Sequence, residues 1–284
     1  MEFELDEEQV LLRGIVRETI AKVCTRPEAQ QWETYLKLGW LEAPPLELAL
    51  ILEELGYVAD PTPFLASATW FGPLAGRLPK GSGTAVFDGT GRYVLDADRA
   101  DEIALLTPEG VTVVQGADLA AERVQVLDPR LHIAHVEAGE LAAGVPALAL
   151  TGLAATAVGA CRRILDLVLE HVKQRVQFGR PLGSFQAVKH KAADMHLVIE
   201  RARTLTHFAA LTLAEDDPRS TRAAHMAKAA AGECQRLVVR HGLQLFGAMG
   251  FTWENELQYH LKRAQSCDLL LGTASDHRKA LLVS

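Results

Sequence analysis

The sequence holds none of the short motifs that mark the commonest enzyme chemistries: no G-x-x-x-x-G-K-[ST], no G-x-S-x-G, no H-E-x-x-H, and no G-x-G-x-x-G between a strand and a helix. A P-loop, a hydrolase elbow, a zincin centre and a Rossmann fold are therefore without support. Nor is there an excess of positive charge: 29 Lys and Arg stand against 36 Asp and Glu, the net charge is -7, and no long block of one sign occurs. That argues against a general nucleic-acid or anionic-membrane surface. No run of 18 apolar residues is present, and the opening "MEFELDEEQVLLRGIV" is acidic and amphipathic where a secretory signal is basic and then apolar. The expectation is a cytoplasmic protein with neither nucleic-acid nor membrane partner. Cysteines are few; Cys24, Cys161, Cys234 and Cys267 lie far apart and fit neither a disulfide framework nor a zinc spacing, so all four read as buried free thiols. The ten histidines show no metal-ligand spacing, and His190, His196, His207 and His241 read as satisfied structural residues.

What is present is an ordinary globular composition, 49% hydrophobic and 23% charged over 284 residues, enough for a sizeable core. The texture changes twice. Residues 1–70 carry apolar residues at helical spacing, as in Leu11, Leu12, Ile15 and Ile20 and in "PLELALILEELGYV". Residues 71–142 hold short apolar runs ("TAVF", "RYVL", "EIALL", "VTVV") between turns such as "DGTG", "TPEG" and "QGAD", which predict a small β-domain. Residues 143–284 return to long helices, expected over 147–174, 184–215, 218–246 and 254–267 with a shorter one after Gly272. The fold class is thus mostly α with a small central β-domain.

Two stretches are more particular than plain helix. "RVQFGRPLGSFQAVKH" (175–190) and "LQLFGAMGFTWENELQYHLKRA" (243–264) each run from a helix through a glycine turn into a new helix. At such a turn no Cβ keeps a ligand from the backbone, and the next helix points free N-H groups at whatever lies there, an arrangement that suits anions. Arg175 adds a planar fork matched to phosphate oxygens, and Phe178 and Phe185 offer flat faces to a ring. A dinucleotide fits that set. The alternative is that Arg175 only caps its own helix and the glycines are simple helix stops.

The first stretch resembles the R-x-x-F-G…L-G-x-x-Q turn of the acyl-CoA dehydrogenase family, and the second resembles the family's Q-x-x-G-G-x-G-(F/Y) turn. The order of helical, β and helical-bundle parts is similar as well. The resemblance implies FAD as cofactor, an acyl-CoA thioester as substrate, and an electron-transfer flavoprotein or similar acceptor. It further implies that Arg175, Gln177 and Phe178, with Leu182 and Phe185 beside them, approach the adenosine and pyrophosphate of a flavin held mainly by a neighbouring subunit. Gln244, Gly247 and Ala248 would line the same end, Ala248 standing where the family has a second glycine.

The departures concern chemistry. One branch of the family takes its base from a Y-E-G-T segment; here the letters are "LLGT", with Leu271 in the glutamate's place. The other branch takes it from the first helix of the C-terminal bundle, where no carboxylate lies between Glu140 and Asp166. Glu140, Asp166, Asp268 and Asp276 are the nearest acids and read as capping or surface charges. Nothing resembles the T-E-P-x-x-G-S-D and W-I-S/T segments that embrace the flavin ring. Proton abstraction next to a thioester requires a positioned carboxylate, and none stands at a family position. The chain is similar in these respects to short subunits of actinobacterial α2β2 heterotetramers that dehydrogenate CoA thioesters of steroid side chains. The resemblance thus implies a non-catalytic, FAD-sharing subunit with a homologous catalytic partner. Two other readings remain open: an active homo-oligomer with a displaced base such as Glu140 or Asp268, and a flavin-free scaffold or acyl-CoA-binding protein.

Overall fold

The computed structural model describes residues 4–90 and 93–283. Helix α1 (Glu7–Val23) starts at a capping box, Asp6 accepting from the Gln9 amide at 2.8 Å while the Gln9 side chain accepts from the Asp6 amide. Helices α2 (Glu28–Lys37) and α3 (Pro45–Tyr57) follow, and then a short helix α4 (Phe64–Ala66) that passes through a π turn into α5 (Gly72–Ala75). Six strands come next among the described residues: β1 (Gly83–Val86), β2 (Tyr93–Leu95), β3 (Glu102–Thr107), β4 (Gly110–Gln115), β5 (Ala121–Val124) and β6 (Ile133–Val136). They form two small sheets. β1 lies parallel to β3, which pairs antiparallel with β4; β6 is flanked by β2 and β5, both antiparallel.

The remainder is helix: α6 (Ala147–Gln174), a two-residue ribbon of β7 (Val176–Gln177) and β8 (Arg180–Pro181), then α7 (Gln186–Ala214), α8 (Ser220–Phe246), α9 (Leu257–Leu269) and α10 (Ala274–Val283). Helix α6 is the axis of the molecule, packed against α3, α7, α8 and α9. It is long and apolar enough to cross a membrane, but most of it is buried inside this bundle. Its small residues explain how close its neighbours come. A Cβ on Gly159 would overlap the Glu53 carbonyl of α3, and one on Gly56 of α3 would overlap the Thr156 carbonyl of α6. Backbone cannot retreat as a side chain can, so Gly159→Ala is expected to cost about 3 kcal/mol, the upper end for overpacking, as measured by urea unfolding.

Beside this crossing lies a buried ionic knot. Glu53 accepts from Arg13, Arg162 and Arg203 at 3.0, 2.6 and 3.1 Å, and Glu54 from Arg13 and Arg162 at 2.9 and 3.0 Å, joining α1, α3, α6 and α7.

The mostly α architecture with a small β part stands as expected. The details differ in places. The N-terminal helices continue to Ala75 before the first strand at Gly83, because the π turn Ser67–Phe71 is wholly buried and its apolar residues pack as helix despite the following glycines and prolines. Strands β5 ("AERV") and β6 ("IAHV") were not expected, their polar residues masking the alternation. Arg92 of the "RYVL" run lies outside the described residues. The four cysteines are free, but Cys24 is exposed at the C-cap of α1; only Cys161, Cys234 and Cys267 are buried.

Candidate functional site

The two glycine turns meet at one end of the bundle. His171, in the last turn of α6, stacks on Phe246, the last residue of α8, with ring centroids 4.4 Å apart, and Lys191 of α7 donates to Gln244 of α8. The α6–α7 connection closes when the Leu182 amide bonds the Arg175 carbonyl at 2.8 Å. Within it Phe178 takes a left-handed φ of 54° and is 89% exposed, and Gly179 follows at φ 79° with open space where a side chain would stand. Phe185 meets Phe178 edge-on at 6.1 Å, while the Arg180 guanidinium lies over Phe185 at 4.0 Å. Gly247 has φ 63° and ψ -144°, a combination open essentially to glycine alone.

All eight expected cofactor residues, Arg175, Gln177, Phe178, Leu182, Phe185, Gln244, Gly247 and Ala248, therefore lie on this end, most of them exposed. Arg175, at the C-cap of α6, has no carboxylate partner among the described residues. The two following helices differ. Helix α7 opens at Phe185 without a side-chain cap; the Val188 amide turns back to the Phe185 carbonyl at 3.1 Å, while the Gln186 and Ala187 amides have no bond among the described residues. Helix α9 is not free in this way, because Asn255 accepts from the Leu257 amide at 3.0 Å, and the turn before it is a short 3-10 segment. Lys191, His171 and Arg180 belong to the same end and were missed; two of them lie inside the quoted stretch or one residue past it, and only folding brings His171 to Phe246.

On the order of 40 Å away, one α6 length at 1.5 Å per residue, lies an open apolar cleft of about 740 Å³. It is bounded by Leu41, Leu48, Leu74, Leu106, Leu148 and Leu213, at the start of α6 and the end of α7. Its acidic lining residue is Glu42, exposed on the turn before α3, and the Arg77 guanidinium there is clamped by both Glu102 oxygens at 2.8 Å. Nothing in the sequence marked this cleft, since its residues come from five separate segments.

Leu271, which the sequence resemblance sets against the family's glutamate, has φ 58° and packs against the main core beside Leu270. The turn is held from below by Lys228, only 1% exposed, whose ammonium donates to the Asp268 and Gly272 carbonyls at 2.9 and 2.7 Å. Burial lowers this lysine to about 8. Asp268 is a capping residue as expected but not a surface one: its two oxygens accept from the Ala274 amide and from Gln235 at 3.0 and 3.1 Å, deep in the protein. Asp276 caps α10 through Thr273, Asp166 accepts from the Tyr57 hydroxyl at 2.9 Å, and Glu140 is exposed. The histidines are less uniform than expected, for His207 Nε2 and His241 Nδ1 are buried without a hydrogen-bond partner among the described residues.

The Leu271 turn also sets a pH dependence. His225 and His277 share a hydrogen bond between their Nδ1 atoms at 2.8 Å. Burial, and then the neighbouring Lys228, push His277 down to about 4, and burial lowers His225 too. The unfolded chain takes up these protons near 6.5. It therefore binds more protons than the folded chain between there and about 4, and stability falls as pH drops through that window. Thermal unfolding from pH 7 to pH 4 is expected to show the decline, and His277→Gln to reduce its slope.

With this geometry in view, comparison with known proteins gives one answer. Residues 151–281 match the family model for the acyl-CoA dehydrogenase C-terminal domain. The chain is 32% identical to acyl-CoA dehydrogenase IpdE2 of Mycolicibacterium smegmatis over 99% of its own length and 89% of that protein's. In structure it is similar to the ChsE4-ChsE5 complex of Mycobacterium tuberculosis, with TM-score 0.85, 21% identity and coverage of 100% of this chain and 98% of that one. It is also similar to the Tcur3481-Tcur3483 steroid acyl-CoA dehydrogenase, with TM-score 0.82, 22% identity and coverage of 98% and 97%. The chain belongs to the acyl-CoA dehydrogenase family of flavin-dependent oxidoreductases.

Proposed function

We propose that this chain is the FAD-sharing, non-catalytic subunit of a heteromeric acyl-CoA dehydrogenase, paired as α2β2 with a homologous catalytic subunit in the cytoplasm. One pairing of features carries the proposal: an exposed, unneutralised cofactor-facing end built around Arg175, together with a leucine where the base belongs. The residues of that end fit a dinucleotide. Arg175 and the uncapped start of α7 meet the pyrophosphate charge, Phe178 and Phe185 give a ring a flat partner, and the backbone at Gly179 and Gly247 is open to close approach. Gln177, Leu182, Gln244 and Ala248 complete the wall. An 89% exposed phenylalanine held at a positive φ costs the isolated chain free energy, and a partner's cofactor removes that exposure. FAD held there would supply a hydride acceptor, with an electron-transfer flavoprotein or similar acceptor as the assembly's redox partner.

The displaced-base reading loses its best seat, since both oxygens of Asp268 are occupied. Two exposed acids remain for it, Glu140 and the cleft's Glu42. Turnover by the mixed assembly is expected to stay within about twofold in Glu42→Gln and Glu140→Gln, whereas removal of a true general base lowers it on the order of 10²-fold or more. Steady-state rates with an acyl-CoA and a dye acceptor decide the matter.

A further inference from the structure

We propose that Lys191 is a positioning residue for the cofactor: it fixes the Gln244 carboxamide so that the amide's N–H donors, and not its carbonyl oxygen, face the pyrophosphate. This role rests on the reading that the Arg175 end holds FAD, and adds how a neutral side chain there is made to act as a donor only.

The contact crosses between two helices. Lys191 stands half-buried in the second turn of α7, and its ammonium donates to Gln244 Oε1, two residues before the end of α8. An ammonium has donors and no acceptor, so the carboxamide atom that faces it is the oxygen. The amide nitrogen of the exposed Gln244 is turned away from Lys191 and makes no bond among the described residues. Lys191 has no carboxylate partner among them either, so its charge is spent on a neutral amide. Helix α6 ties this place to Arg175. His171 stacks on Phe246 at 4.4 Å, and burial, then the Arg175 charge one turn on, hold the His171 ring below its ordinary value. Arg175 and Gln244 thus stand on either side of one ring stack. Donors on both sides suit an anion; the Gln244 oxygen would repel one. The last torsion of a glutamine turns at little cost, so without a cation beside it the carboxamide has no reason to keep its nitrogen outward.

A double-mutant cycle read as FAD affinity of the mixed assembly tests this, with thermal unfolding and native mass as checks on folding and pairing. Lys191→Met and Gln244→Ala are each expected to weaken FAD binding by about 2- to 10-fold, the range of one neutral hydrogen bond. The double variant is expected to lose no more than Gln244→Ala alone. Lys191→Arg, which also presents only donors, is expected to restore affinity to within about twofold. If the two losses multiply, or the Lys191→Met loss shrinks between about 0.1 M and about 1 M salt, the ammonium attracts the phosphates itself and the proposal is overturned. An unchanged affinity in Lys191→Met overturns it too, as does a loss matched by a fall in thermal stability. If Arg175→Ala alone weakens binding, the shared cofactor stands and the positioning role is wrong. If none of these variants weakens it, both readings fall.

Discussion

Arg263→Ala is expected to unfold at much lower urea concentration, with a loss of about 3–5 kcal/mol, because it strands a buried carboxylate. Arg263 Nε donates to Asp128 at 2.6 Å, and Asp128 is 0% exposed. The same guanidinium donates to the Asp60 carbonyl at 2.8 Å. One side chain of α9 thus ties together the bundle, the segment before β6 and the link between α3 and α4. Removing the cation leaves the buried Asp128 charge with only the Arg130 amide donating to it at 3.0 Å, so the cost exceeds what the ion pair itself contributes. Arg263→Met combined with Asp128→Leu is expected to recover much of the loss, since two apolar groups owe no desolvation. Equal destabilisation in the single and double variants would mean that packing, not charge, dominates there.

The second large effect is on the cofactor. Arg175→Ala is expected to lower the affinity of the mixed assembly for FAD by roughly 10- to 100-fold, since a charged hydrogen bond contributes about 1.5–3 kcal/mol and each 1.4 is tenfold. Its folding should barely change, because the guanidinium is exposed and makes no described ion pair in the chain. Arg175→Lys is expected to restore little, as a point charge does not reproduce the planar fork. Flavin absorbance after dilution gives the affinity, and native mass shows whether the subunits stay paired. An unchanged flavin content would favour the flavin-free scaffold.

What could be read from the sequence alone follows a physical divide. Local signals succeeded. The glycine turns announce themselves because glycine, arginine and phenylalanine are close in sequence and the backbone there must adopt positive φ, as Gly179 and Gly247 do. The long helices were placed to within a few residues for the same reason, since 3.6-residue periodicity is a property of the segment. What depends on distant partners was not legible. The cleft gathers Leu41, Leu74, Leu106, Leu148 and Leu213, and the knot on Glu53 draws arginines from α1, α6 and α7. Asp268 looked like a surface charge because most aspartates are; its burial is decided by the Ala274 amide six residues on and by Gln235 of another helix. Strand β5 escaped notice because an edge strand with one face in water has little pattern to show.

The central claim is that one flavin is gripped jointly by this chain and a different, catalytic one. Its most direct measurement is the visible spectrum and native mass of the protein purified alone and with the homologous dehydrogenase chain. The account predicts a colourless chain by itself and a yellow mixed tetramer carrying one FAD per unequal pair. A chain that purifies yellow alone and bleaches with an acyl-CoA would contradict it.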